Sequence, residues 1–315
     1  MEASSATTAA GARAVPALGT ARRRWGEELI KALLILAALL SVLTTTGIVI
    51  ALLRETIDFF GSVGVWEFLS GQKWTPLFEP GSFGVRPLVV GTFLVTFIAL
   101  LVAGPLGLGA AIYLSEYARP RVRKTIKPIL ELLAGVPTIV FGYFALTFFT
   151  PTVLQDFLHL KVDLFNALAA GIIMGFMIIP TVASVAEDAM SAVPMSLREG
   201  AYGLGASKLQ VSLRVVFPAA LSGIVAAIVL GVSRAIGETM IVLLAAGSVA
   251  NNSLNPTEPH QSLAAFIGST AGGDTPTGSI EYKTIFAVGM LLFVLTLIMN
   301  LISIRFVRKY RQVYE

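Results

Sequence analysis

Hydrophobic residues are grouped along this chain into long runs that charged residues interrupt only at wide intervals. Five runs of about twenty residues or more contain no Asp, Glu, Lys or Arg, and one further run, the fifth in chain order, contains two such residues. The runs cover residues 32–53, 87–115, 132–155, 164–186, 219–247 and 284–304. A helix needs roughly 20 apolar residues to cross the hydrocarbon core of a bilayer. The pattern therefore predicts an all-α integral membrane protein with six transmembrane helices rather than a membrane β-barrel, whose strands alternate.

Composition agrees with a membrane protein and narrows the chemistry. Hydrophobic residues make up 55 % of the 315 residues and charged residues 13 %, whereas a soluble domain has about 25 % charged residues. Because cysteine is absent, a disulfide framework, a thiol nucleophile and a cysteine-ligated metal are excluded. We expect no metal and no cofactor in this chain, and we interpret His159 and His260 as ordinary loop residues.

The distribution of Lys and Arg between the runs predicts the orientation. Five basic residues precede the first run, five lie between the second and third, three between the fourth and fifth, and four after the sixth. The other segments carry fewer basic residues: three in the long segment after the first run, one after the third run and one after the fifth. Because cytoplasmic loops are enriched in Lys and Arg, both termini are predicted to be cytoplasmic. The net charge of +4 then reflects topology in the lipid bilayer, and no nucleic-acid partner is expected.

Three segments outside the runs differ from ordinary short connections. Residues 1–28 are rich in Ala, Ser and Thr and are predicted to be a disordered cytoplasmic arm ahead of a transmembrane domain at 29–312. A cleaved signal peptide is the alternative, but its apolar core has 7–15 residues and the first run is longer. The outer segments 55–86 and 248–283 are rich in Gly and Pro and are predicted to be loops. These loops either dock an external partner or are surface insertions that the fold tolerates.

Glycine and proline also occur inside several runs. Gly104-Pro105 lies in the second run, Gly135-Val136-Pro137 in the third and Pro180 in the fourth. We expect these residues to interrupt or kink their helices. Gly171 and Gly175 form a GxxxG pair, which predicts close contact with another helix.

Two charged residues, Arg234 and Glu238, lie inside the fifth run. Counting from Ala219, Arg234 is about 22 Å along the helix, near the middle of the bilayer. Glu238 follows four residues later, on the same face, where the two side chains can pair. Ionised side chains at that depth face a pore, a cavity or each other, and a guanidinium binds phosphate or sulfate through parallel hydrogen bonds. We predict that both residues belong to a substrate pathway, with a static ion pair as the alternative.

The cytoplasmic segment 187–218 is amphipathic and contains a predicted short helix. Ser196 is expected to cap this helix, with Glu199 completing a capping box, and Gly203 and Gly205 are expected to end it. A short helix held between two spans would dock a soluble partner. The alternative is a helix that lies on the membrane surface.

This segment resembles the cytoplasmic signature of permease subunits of bacterial ABC importers. The signature reads Glu-Ala-Ala, three residues, Gly, nine residues, Ile, one residue, Leu-Pro. The chain matches its spacing with Glu199, Gly200, Ala201, Gly205, Val215, Phe217 and Pro218. The resemblance implies the type I ABC importer permease fold, with a coupling helix that docks on an ATP-hydrolysing subunit. The coupling residues it implies are Glu199, Gly200, Ala201, Gly205 and Pro218.

Further stretches resemble the permeases of phosphate importers. They read AAIYLSEY at 110–117, ELLAGVPT at 131–138 and RAIGETM at 234–240. The first outer segment, with Trp74-Thr75-Pro76 and Phe83-Gly84, resembles the C-type of the two homologous permeases that form such a channel. The resemblance covers roughly residues 30–305. It implies phosphate import by alternating access, with Arg234 and Glu238 in phosphate passage.

The same resemblance implies a location and partners. The location is the plasma (inner) membrane of a bacterium. The partners are an A-type permease, two ATP-binding subunits that bind ATP and Mg, and an extracytoplasmic phosphate-binding protein. The chain itself is expected to be a transporter subunit and not an enzyme, because it lacks a Gly-Lys dipeptide and so a phosphate-binding loop. Sulfate or molybdate is the nearest rival substrate, because Arg234 suits those anions too. A secondary anion carrier is a further alternative, although no internal repeat supports it.

Overall fold

The computed structural model describes residues 25–310, and this part of the chain is mainly helical. The twelve helices are α1 (Trp25–Phe60), α2 (Val65–Ser70), α3 (Arg86–Ile112), α4 (Pro120–Ala134), α5 (Thr138–Phe144), α6 (Ala167–Ser191), α7 (Met195–Gly203), α8 (Lys208–Val211), α9 (Phe217–Ala219), α10 (Leu221–Ile236), α11 (Leu263–Ala271) and α12 (Ile280–Tyr310). Four π-helical segments extend or join them, at Tyr113–Tyr117, Ala145–Phe157, Ser212–Val216 and Val242–Ala246. The chain divides into a unit that ends at Ile50 and a unit that begins at Ala51. The arm predicted at 1–28 lies outside the described residues as far as residue 24, and α1 begins at Trp25.

Five of the six predicted spans are continuous helices long and apolar enough to cross a membrane. They are Gly26–Phe60, Arg86–Tyr117, Thr138–Phe157, Ala167–Ser191 and Ile280–Arg305. The sixth candidate is a bent pair, Lys208–Ala219 and Leu221–Ile236, with an angle of 74° between its parts. The prediction of an all-α membrane protein is confirmed. The prediction of one helix through 219–247 is wrong, because α10 ends at Ile236 and a glycine turn follows.

Helices α3 and α6 form the centre of the larger unit, and small residues allow their close approach. A Cβ atom on Gly171 would lie 2.6 Å from Cβ of Ile98. A Cβ atom on Gly175 would lie 2.7 Å from Cβ of Val102. Neither position therefore accepts a larger side chain without movement of α3. The helix contact predicted from the GxxxG pair is confirmed.

The glycine and proline residues inside the runs have different effects. Gly135-Val136-Pro137 separates α4 from α5, as expected. Pro105 lies inside α3 and Pro180 inside α6, and neither helix is broken there. The basic connection before the third span is not a loop, because Pro120–Ala134 forms the helix α4.

The first outer segment contains regular structure that the sequence pattern did not predict. It contains α2 and a two-stranded antiparallel sheet, β1 (Trp74–Thr75) and β2 (Ser82–Phe83), with Trp74 opposite Phe83. The second outer segment contains α11. Edge-to-face ring contacts connect these elements, with Phe68 and Trp74 at 6.1 Å and Trp74 and Phe266 at 4.9 Å between ring centroids. Aromatic residues between the turn formers thus build a small core, and the prediction of loops alone is wrong.

His260 is not an ordinary loop residue, because it is completely buried in the second outer segment. Its Nδ1 lies 3.0 Å from the carbonyl oxygen of Glu258, and its Nε2 lies 2.7 Å from that of Ser253. The amides of Asn255 and Asn251 donate to the Glu258 carboxylate at 2.9 and 2.8 Å. These hydrogen bonds hold the pKa of Glu258 below its usual value. The segment therefore has a defined conformation fixed by its own polar side chains.

Candidate functional site

Arg234 is half-buried near the end of α10 and is held by two neutral oxygen atoms. Its Nη1 donates to Oγ1 of Thr181 on α6 at 3.0 Å. Its Nη2 donates to the carbonyl oxygen of Ala134, the last residue of α4, at 3.4 Å. Within residues 25–310, no carboxylate oxygen lies within 4.0 Å of the guanidinium nitrogens. A guanidinium has five N–H donors, so three of them have no acceptor in this part of the chain.

Glu238 is buried and makes no ion pair with Arg234. Its Oε1 accepts hydrogen bonds from the backbone N–H groups of Met240 and Ile241, at 3.0 and 3.2 Å. These groups belong to the first turn of the helical segment after the break, where backbone donors lack partners within the helix. The predicted pairing at a spacing of four is wrong, because α10 ends at Ile236 and Gly237 turns the chain away. A role for both residues in a substrate pathway stays a prediction.

Two helix breaks meet beside Arg234. The first, at residues 135–137, follows the Ala134 carbonyl that accepts from the guanidinium. The second break, at residues 237–239, leads into a segment that packs on α5. The approach is close, since a Cβ atom on Gly142 would lie 3.0 Å from the Met240 carbonyl oxygen. Interrupted helices expose backbone groups at membrane depth, and this is tolerated where the backbone is buried or lines a cavity. The arrangement is therefore suited to bind an anion within the membrane.

The predicted coupling residues lie on and after α7. Glu199 and Gly200 are exposed on this helix, Ala201 is half-buried, and Pro218 is exposed in α9. Gly205 follows α7 with a φ angle of +80°. Glycine adopts that conformation without a steric penalty, which explains its place in the pattern.

The capping prediction for α7 is wrong, although the helix itself is present. The N-cap of α7 is Pro194, which makes no side-chain capping hydrogen bond. A capping box occurs one helix later, where the Ser207 hydroxyl accepts from the Gln210 backbone and the Gln210 side chain accepts from Ser207 N–H. Pro194 directly precedes Met195, the first residue of α7, so Ser196 lies inside the first turn of the helix.

Arg198 attaches α7 to two transmembrane helices, and the sequence pattern did not identify it. Its side chain is 11 % exposed and that of Glu116 is 5 % exposed. Arg198 donates to Glu116 Oε1 from Nη2 at 2.9 Å and to the carbonyl oxygens of Met190 and Val193. A charged residue in a short helix outside the apolar runs is usually exposed, so only the presence of Glu116 in the stretch AAIYLSEY could have indicated a partner.

Glu187 anchors α4 in the same region. It is completely buried near the end of α6 and pairs with Arg123 and with Lys127, whose Nζ lies 2.9 Å from Oε2. The Ser191 hydroxyl donates to it at 2.8 Å. Burial lowers the pKa of Lys127, but hydrogen bonds to Asp188 and Glu187 outweigh burial, so the pKa lies above its ordinary value. The basic residues of α4 therefore hold the C-terminal end of α6, in addition to any role in orientation.

These features define a multi-pass membrane permease with an exposed short helix between two spans. Residues 103–312 match the family described as "Binding-protein-dependent transport system inner membrane component". The chain belongs to this family and is a permease of the type I ABC importer class.

Relatives agree with this assignment over most of the chain. The probable ABC transporter permease protein YqgH of Bacillus subtilis is 34 % identical, with 88 % of this chain and 89 % of the relative covered. The phosphate transport system permease protein PstC of Haemophilus influenzae is 32 % identical, with 91 % and 95 % covered. PstC 1 of Mycobacterium tuberculosis is also 32 % identical, with 72 % and 73 % covered. All three are transport components.

Solved structures confirm the fold. A bacterial alginate ABC transporter in complex with a periplasmic protein has a chain with a TM-score of 0.62 and 17 % identity, with 90 % of this chain and 96 % of that chain covered. A chain of the MetNI methionine ABC transporter in an inward-facing conformation has a TM-score of 0.53 and 19 % identity, with 73 % and 95 % covered. At these identities the likeness concerns the fold.

Proposed function

We propose that the chain is the C-type permease subunit of an ATP-driven importer for inorganic phosphate and forms half of its translocation pathway. The observation that carries the proposal is the Arg234 guanidinium, which lies where two helix breaks meet and has no carboxylate partner in residues 25–310. Relatives named as phosphate permeases, at 30–32 % identity, support the choice of phosphate.

The chemistry of this site suits a divalent or monovalent oxyanion. An ionised side chain inside a membrane is costly unless a partner compensates its charge. The three N–H groups of Arg234 without an acceptor can bind two oxygen atoms of a tetrahedral anion in the planar geometry that a guanidinium prefers. Glu238 accepts hydrogen bonds from the backbone of the following segment and makes no ion pair with Arg234. The pathway then opens and closes as the helix breaks move.

The exposed part of α7 would couple this pathway to ATP hydrolysis. Glu199, Gly200, Ala201, Gly205 and Pro218 would contact an ATP-binding subunit that holds ATP and Mg. A second copy of that subunit, an A-type permease and an extracytoplasmic phosphate-binding protein would complete the importer. In this arrangement both termini are cytoplasmic, because positively charged loops remain on that side.

Deletion of the gene tests the proposed function. Labelled phosphate uptake at micromolar external phosphate is measured in the deletion strain, with sulfate uptake as the control. We expect selective loss of phosphate uptake that the intact gene restores. Loss of sulfate uptake with normal phosphate uptake would identify a sulfate permease and contradict the proposal.

Glu199→Lys tests the coupling surface. Because Glu199 is exposed on α7, the reversed charge would oppose a basic partner surface without disturbing the permease core. We expect phosphate uptake to fall at least about tenfold, from the loss of a charged contact worth about 2 kcal/mol or more. The ATP-binding subunit should co-purify less or lose its stimulation. Asp156→Lys, an exposed charge reversal at the far end of the third span, is the matched control. Normal co-purification and stimulation in Glu199→Lys would contradict the docking role.

A further inference from the structure

Several threonine hydroxyls inside the helices of this protein donate to the backbone of their own helix. Seven of them donate to the carbonyl oxygen four residues earlier, at distances from 2.6 to 3.1 Å. These are Thr44, Thr45, Thr56, Thr92, Thr125, Thr147 and Thr296. Such a bond uses the hydroxyl proton and leaves no donor for another group.

Thr181, like Thr96 and Thr150, makes no such bond among the described residues, but its hydroxyl contacts Arg234. Its Oγ1 accepts a hydrogen bond from Nη1 of Arg234 at 3.0 Å, and no acceptor for its own proton is found among residues 25–310. A hydroxyl has one donor and two acceptor positions. One acceptor position is therefore used by the cation, and the donor remains available. Thr181 is half-buried, so a small ligand beside Arg234 can reach it.

We infer that Thr181 is a second ligand of the oxyanion that Arg234 binds, an inference that rests on the proposed function. The Thr181 O–H group donates to one anion oxygen, while guanidinium N–H groups without acceptors donate to others. Because Thr181 accepts from a cation, its hydroxyl is polarised and becomes a stronger donor. The same hydrogen bond fixes the plane of the guanidinium. The site therefore consists of one cationic and one neutral donor, from α10 and α6.

Substitutions at Thr181 separate the hydroxyl from the rest of the side chain. Thr181→Val keeps the shape and removes the donor, whereas Thr181→Ser keeps the donor and removes a methyl group. Thr296→Val is the matched control, because the Thr296 hydroxyl donates to backbone carbonyls of α12 at 3.0 and 2.9 Å. The complete importer with each variant is reconstituted in vesicles with its binding protein, and the maximal rate of labelled phosphate uptake is measured. Co-purification of all subunits measures assembly.

We expect Thr181→Val to lower the maximal uptake rate about tenfold or more, which corresponds to one hydrogen bond to a charged group. Thr181→Ser should remain within about twofold of the wild type, a rescue that a packing role would not produce. Thr296→Val should transport at the wild-type rate. The inference is overturned if Thr181→Val transports normally, or if Thr181→Ser is as impaired as Thr181→Val. If either of these outcomes is found and Arg234→Ala is inactive, the proposed function stands without Thr181. If Arg234→Ala transports normally, the proposed function and the role of Thr181 both fail.

Discussion

We expect Arg234→Ala to abolish phosphate uptake and to leave the importer assembled. The side chain makes two hydrogen bonds, to Thr181 and to the Ala134 carbonyl, and no ion pair within residues 25–310. Its loss removes a charge that no carboxylate in residues 25–310 pairs with, so we expect the fold to tolerate the substitution. Loss of a charged partner from a buried complex costs about 2–5 kcal/mol, so we expect uptake to fall at least about 30-fold, at roughly tenfold for each 1.4 kcal/mol.

Two further variants make this prediction specific. Arg234→Lys keeps the charge but lacks the planar fork, and we expect a loss between those of the wild type and the alanine variant. Arg305→Ala removes an exposed arginine near the end of α12 and should not affect uptake. Labelled phosphate uptake and co-purification of the subunits are measured for all three. Wild-type uptake by Arg234→Ala would exclude Arg234 from the pathway.

Arg198→Ala is expected to have the second largest effect, on stability as well as on coupling. It leaves the buried carboxylate of Glu116 without its cation and the Met190 and Val193 carbonyls without their donor. Removal of one partner from a buried ion pair costs about 3–5 kcal/mol. We expect the midpoint of thermal unfolding in detergent to fall by several degrees or more.

A double variant distinguishes the ion pair from general damage to α7. If the buried pair causes the loss, Glu116→Gln added to Arg198→Ala removes the uncompensated charge and recovers part of the stability. Arg214→Ala, an exposed change in the same segment, residues 187–218, should alter stability by less than about 0.5 kcal/mol. Strictly additive losses in the double variant would show that Arg198 and Glu116 do not act together.

The transmembrane organisation could be predicted from the sequence because bilayer thickness sets a minimum length for apolar runs. Five runs correspond to continuous helices. The break after Ile236 could not be predicted, because a single glycine inside a mainly apolar run does not by itself end a helix. The alternative of an ion pair between Arg234 and Glu238 assumed a helix that in fact ends between them.

The contacts that α4 and α7 make with the membrane-spanning helices could not be predicted for a different reason. Glu116 and Arg198 are 82 positions apart, and Lys127 and Glu187 are 60 apart. Each residue occurs in a charged segment where exposure is the ordinary expectation, and only the packing of α4, α6 and α7 brings the partners together. Thr181 likewise has no local signal, because its role depends on a side chain from another helix.

Helix α6 sets a fixed distance and rotation between the proposed anion site at Arg234 and the contacts that hold α4 and α7. Thr181 contacts Arg234, while Glu187 and Met190 hold α4 and α7 through the partners described above. The nine residue steps from Thr181 to Met190 correspond to about 13.5 Å of helix, and each step adds about 100° of rotation. One inserted residue in this stretch would turn Glu187 away from Lys127 or Thr181 away from Arg234. The number of residues between positions 181 and 190 is therefore fixed by contacts at both ends of this stretch.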